Sequence, residues 1–114
     1  MDIEKETTML DKTFKQVLAV LNYCYQLTKN DWLGAVLGQL DWTLWEDGMP
    51  ADMATYEDFM EIISKIPEAD VREKAIYFVN EYYKQYTIFA IDKVVSTLEK
   101  LSQERINALT SSVE

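Results

Sequence analysis

The stretch WLGAVLGQLDWTLWEDG, residues 32–48, holds every tryptophan (Trp32, Trp42, Trp45) and every glycine (Gly34, Gly38, Gly48) of the chain. Within it Leu33, Val36, Leu37, Leu40 and Leu44 recur at the spacing of a helix with one apolar face. A strand would alternate apolar and polar residues between turn signals, and no segment of the chain does so. The segment therefore reads as a second helix from about Trp32 to Glu46. Asp47-Gly48 closes it with a left-handed glycine, and Pro50 follows where a helix does not easily continue. Gly34 and Gly38 lie one turn apart inside that helix, where each glycine costs about 1 kcal/mol relative to alanine. Close packing of a neighbouring helix is the expected reason, and a groove facing a ligand or partner is the other.

Upstream, Leu10, Phe14, Val17, Leu21 and Cys24 form a helical stripe, widened by Leu18 and Tyr25, in a run free of glycine and proline from about Asp2 to Lys29. Asn30 or Asp31 supplies the cap of the second helix. Downstream, Tyr56, Phe59, Met60, Ile63 and Ile66 mark a third helix from about Met53 to Ile66, capped by Asp52 or by Thr55 and ended by Pro67. From Asp70 to about Leu109 no glycine or proline interrupts the helical pattern, a run that as one straight helix would reach roughly 60 Å. The apolar face shifts after Tyr86, so a break near Tyr86 to Ile88 is expected. The reading is all-α: one domain over residues 1–114, an antiparallel bundle of four helices, or five if the last one breaks.

Twenty acidic against eleven basic residues give a net charge of −9, which argues against nucleic-acid binding and favours a basic partner. Cys24 is the single cysteine and lies in an apolar pattern, so no intrachain disulfide can form and a reducing, cytoplasmic setting is expected. The first residues lack the apolar core of a signal peptide, and no apolar run approaches the roughly 18 residues of a membrane span. No cofactor and no membrane association are expected.

The chain has no histidine, which removes imidazole bases, Ser-His and Cys-His dyads and His-ligated metals. Carboxylate chemistry remains. Asp58-x-x-Glu61 and Asp70-x-x-Glu73 each place two carboxylates on one helix face, and two such pairs on adjacent helices could hold Mg²⁺. This spacing resembles the paired acidic motifs of the all-α nucleotide pyrophosphohydrolases, with Asp58 and Asp70 standing where Glu is expected and Glu73 where Asp is expected. Solvated helix faces and helix-dipole partners are the plainer reading of the same residues.

The tryptophans offer a second candidate. Trp42 and Trp45 are three apart on the expected second helix, with Trp32 near the same face, and Asp41, Glu46, Asp47 and Asp52 surround them. Aromatic anchors with an acidic rim suit a surface that steers and then desolvates a basic protein. The alternative is that the rings extend the core.

Residues 32–59, WLGAVLGQLDWTLWEDGMPADMATYEDF, resemble a group of small bacterial helical proteins that carry the order Trp-Leu-Gly, Leu-Gly, Asp-Gly-x-Pro-Ala-Asp before an aromatic-rich helix. That group has no assigned activity, so the resemblance implies a bacterial origin and a helical fold. Taken together, the residues lead to a small, non-enzymatic interaction module, an immunity or regulatory factor masking a basic protein partner through Trp42, Trp45, Asp41, Glu46, Asp47 and Asp52. A Mg²⁺-dependent hydrolase using Asp58, Glu61, Asp70 and Glu73, and a bundle that associates with copies of itself, are the alternatives.

Overall fold

A computed structural model describes residues 12–43, 48–83 and 91–113. Among them lie six α-helices and no strand: α1 (Lys12–Thr28), α2 (Asp31–Leu40), α3 (Met53–Ile63), α4 (Val71–Tyr83), α5 (Asp92–Lys100) and α6 (Gln103–Ser111). The radius of gyration, 13.9 Å, is close to the roughly 13 Å expected of a compact fold of this length. No described helix is long and apolar enough to cross a membrane.

The first helix is the centre of the fold. Phe14, Val17, Leu18, Val20, Leu21 and Cys24 are all buried, and α1 packs against α2, α4, α5 and α6. Its partners bring Leu33, Val36, Leu37 and Leu40 from α2, Ala75, Phe78 and Val79 from α4, and Val94 and Leu98 from α5. Phe14 lies edge-on to Phe59 at 5.2 Å, Phe59 meets Phe78 at 4.6 Å, and Phe78 stacks on Tyr82 at 5.1 Å, so an aromatic row crosses from α1 through α3 to α4. Such pairs add to the area they bury because ring edges and faces carry opposite partial charge.

The helix boundaries follow local polar chemistry. Lys29, in the left-handed region at φ 52°, ends α1. Asn30 then caps α2, its Oδ1 accepting from the Leu33 N–H at 2.9 Å. Asp52 caps α3 by accepting from Thr55 N at 3.2 Å, and Asp70 caps α4 by accepting from Glu73 N at 2.8 Å. Gly48 has a positive φ of 69° but does not close α2, which ends at Leu40 with Asp41 as its cap.

Three boundaries differ from the sequence reading. The second helix stops at Leu40, not Glu46. Asp41 is extended, and its Oδ1 accepts both the Thr43 N–H at 2.8 Å and the Thr43 hydroxyl at 2.6 Å, a local turn that competes with continued helix. The returning chain reinforces that end: Ala51 N donates to Asp41 O at 3.0 Å and Asp52 N to Gln39 O at 2.8 Å. The third helix stops at Ile63, where Ser64 donates through its hydroxyl to Glu61 O and the next N–H groups reach back only three residues. The long C-terminal run divides at Leu101-Ser102: Leu101 is extended, and Ser102 caps α6 by accepting from Arg105 N at 3.1 Å. The expected break at Tyr86 to Ile88, and the start of the first helix, lie outside the described residues.

Two side chains fix α5 and α6 in place. Arg72 on α4 donates through Nη1 to Leu98 O at 2.7 Å and Glu99 O at 3.1 Å, supplying donors and positive charge to the carbonyl end of α5. Arg105 on α6 sits over the Tyr23 ring of α1 at 5.1 Å.

Candidate functional site

A groove of about 490 Å³ lies between α1 and α2. Asn22, Tyr25 and Gln26 form its α1 wall, and Gly34 and Gly38 lie along the α2 side. The apolar faces of both helices turn into the core, through Leu18 and Leu21 on one and Leu33 and Leu37 on the other, which leaves the small and amide-bearing residues on the outer seam.

The two glycines have different surroundings. A Cβ on Gly34 would lie 2.7 Å from Tyr25 Cε1 and 3.1 Å from Tyr25 Cζ, so this glycine lets the tyrosine ring close on the α2 backbone. At Gly38 a Cβ would meet nothing within 4 Å. Close helix packing therefore explains Gly34 and not Gly38, which opens into the groove instead.

Asp31 in the first turn of α2 and Asp41 just past its end stand at the two ends of the groove. Trp42 closes the Asp41 end. It is half-buried, its ring edge-on to Phe14 at 5.7 Å, with the Lys15 ammonium 5.8 Å from its centroid. At the other wall the Lys29 ammonium lies 5.5 Å from the Tyr25 centroid. No Lys or Arg is among the described residues lining the groove. The arrangement offers carboxylate and amide acceptors beside aromatic rings, chemistry that receives a cation.

The sequence-predicted contact residues separate on this frame. Asp41 and Trp42 reach the groove, whereas Asp52 is turned to capping α3, whose Thr55 hydroxyl donates to Gln39 Oε1 at 2.9 Å. Trp45, Glu46 and Asp47 lie outside the described residues. Trp32 is 46% exposed and sits at the opposite end of α2 from Trp42, so the tryptophans of the sequence do not all gather in one patch. Its backbone carbonyl accepts from the Tyr83 hydroxyl, and burial, followed by the neighbouring Tyr82, pushes the Tyr83 phenol above its ordinary range.

Asp58, Glu61, Asp70 and Glu73 are all exposed, Asp70 serves as the cap of α4, and no group of three or more acidic or cysteine residues among the described ones is placed to hold a metal ion. Cys24 is fully buried beside Val94 O, to which its Sγ donates at 3.6 Å, and burial pushes its thiol up to about 11. A thiol so protonated is a packing group, not a nucleophile.

Sequence reasoning missed Asn22, Gln26 and Tyr25 as groove residues. The only signal that could have pointed to the seam was the Gly34/Gly38 pair, whose groove reading stood beside the packing one. In comparisons with known proteins, the chain matches no family model, no curated protein and no solved structure.

Proposed function

We propose that this chain is a small acidic interaction protein that masks a basic protein partner, in the way an immunity or regulatory factor does, with Asp41 and Trp42 at the centre of the contact. The observation that carries the proposal is the α1–α2 groove, which has a carboxylate at each end, aromatic rings at its rim and no basic residue in its described lining. The net charge of −9 supplies long-range steering toward a cation-rich surface, and the half-buried Trp42 supplies apolar area that a partner can desolvate. Glu46, Asp47 and Trp45 follow Trp42 in sequence and extend the same contact in this reading. A reducing, cytoplasmic setting fits the buried free thiol of Cys24.

The test is affinity capture with the wild-type chain and Trp42→Ala, eluted along a salt gradient, after circular dichroism has shown that the variant is folded. The proposal expects basic proteins that elute as salt rises and that Trp42→Ala fails to retain. A captured set with no basic bias, or one indifferent to Trp42, refutes it. Light scattering of the isolated chain checks the self-association alternative, which expects a dimer or larger species in the absence of any partner.

A further inference from the structure

We infer that the α1–α2 groove receives an extended segment of the basic partner, carrying two cationic side chains four residues apart, one for Asp31 and one for Asp41. The inference rests on the basic-partner reading and specifies the form in which the partner is recognised.

The spacing of the two carboxylates sets the form of the occupant. Asp31 and Asp41 are separated by the length of α2, ten residues at 1.5 Å of rise, or about 15 Å. An extended chain matches that separation. At about 3.3 Å per residue, four residues span roughly 13 Å, and residues i and i+4 of an extended chain project to the same side. Two arginine or lysine side chains at that spacing reach both carboxylates from one side of the segment.

The lining suits such a segment. Asn22 and Gln26 present amides that can both donate to and accept from a peptide backbone. Gly38 keeps the α2 side low, with nothing within 4 Å of where a Cβ would stand. Asp41 uses Oδ1 for both bonds to Thr43, which leaves Oδ2 outside that turn. The rings of Trp42 and Tyr25 already hold the ammonium groups of Lys15 and Lys29 near them, so both lie where a cation is stabilised.

The experiment measures fluorescence anisotropy of labelled twelve-residue peptides, two arginines in a Ser/Thr/Gly background at spacings from two to eight, against the whole chain, with spermine as a competing small polycation. The expected result is tightest binding at i,i+4, weaker by about threefold or more at i,i+3 and i,i+5. Gly38→Leu should weaken it at least tenfold without lowering the melting temperature, because its Cβ would meet no atom within 4 Å and the rest of the side chain has the groove to enter. Asn22→Phe, on the exposed facing wall, is the second blocking variant. Asp31→Asn should cost up to about fivefold, the scale of one exposed ion pair. Binding that ignores spacing and survives both blocking variants overturns the groove assignment while leaving the basic-partner reading intact. The same division holds if no peptide binds but Trp42-dependent capture of a basic protein succeeds. If spermine binds, is blocked by Gly38→Leu and outcompetes every peptide, the occupant is a free polycation and the peptide assignment is wrong. If neither peptides nor capture detect a basic ligand, both readings fall.

Discussion

Gly34→Ala and Gly38→Ala make the same chemical change on one short helix, yet the structure assigns them opposite effects. Replacing a helical glycine by alanine gains up to about 1 kcal/mol by restricting the unfolded chain and improving helix propensity. At Gly38 nothing opposes that gain, since the new methyl meets no atom within 4 Å. At Gly34 the methyl would sit 2.7 Å from Tyr25 Cε1, so the ring must retreat by about 1 Å to restore ordinary van der Waals contact. Tyr25 is half-buried and packs against the core, with the Lys29 ammonium over its ring, so the movement disturbs both contacts. Overpacking of this kind costs about 1–3 kcal/mol. Gly38→Ala should therefore stabilise by about 0.5–1 kcal/mol and Gly34→Ala should be neutral to destabilising by about 2 kcal/mol. Urea unfolding followed by circular dichroism reads the difference as a shift in midpoint at constant slope. Equal stabilisation by both substitutions would show that Tyr25 yields freely and that no close contact explains Gly34.

Trp42→Ala should cost about 1.5–3 kcal/mol by chemical denaturation, less than the 3–5 typical of a fully buried aromatic, because the ring is half-buried and edge-on to Phe14; a loss under 0.5 kcal/mol would show that it contributes nothing to the core. Asp52→Ala should lower stability by about 1 kcal/mol through loss of the α3 cap, with Asp52→Asn or Asp52→Ser restoring most of it, and leave the salt dependence of partner binding unchanged. Arg72→Met should cost about 1–2 kcal/mol and speed amide exchange at the end of α5, since the Leu98 and Glu99 carbonyls lose their donor; exchange unchanged there would refute the capping role. Burial raises the Cys24 thiol to about 11, so the folded state binds the proton more tightly than the unfolded one: its contribution is complete below about pH 9 and is lost as pH rises toward 11. The loss is on the order of 2–3 kcal/mol, is measured by comparing wild type with Cys24→Ala across that range, and should be accompanied by slow reaction with a thiol reagent at pH 8.

The parts of the fold that were legible in the sequence are those where a single local rule operates alone. The stripe Phe14-Val17-Leu21-Cys24 has no competitor, and all four residues are buried. Asn30 and Asp52 precede apolar helical patterns and do cap them. The misplaced ends are those where two rules conflict. Leu44 prolongs the apolar period of the second helix, while Asp41 and Thr43 offer the backbone a side-chain turn, and the turn prevails because Ala51 and Asp52 return to bond the same helix end. Ile106 and Leu109 likewise continue the apolar period past Leu101, and the serine cap at Ser102 interrupts it. The groove was least legible, because it depends on which glycine faces the Tyr25 ring, and both glycines occupy the same face of the helix in the sequence pattern.

The acidic character of the chain has two physical origins, and they have different consequences. Asp41, Asp52 and Asp70 each accept a backbone N–H within the next three residues, which converts part of the formal charge into turn and helix-start structure. A carboxylate held in this way still contributes to the long-range field, because a hydrogen bond does not neutralise it, but its bonded oxygen is committed and its position is fixed. Asp41 combines the two roles: the turn that ends α2 also sets the carboxylate at the mouth of the groove, beside Trp42. Had the helix run on to Glu46, residue 41 would have been an interior helical position with its side chain directed by the helix period. The early end of α2 is thus what places an acid and an aromatic ring together at the α1–α2 seam, and a substitution that restores helix through Asp41 would separate them without changing either.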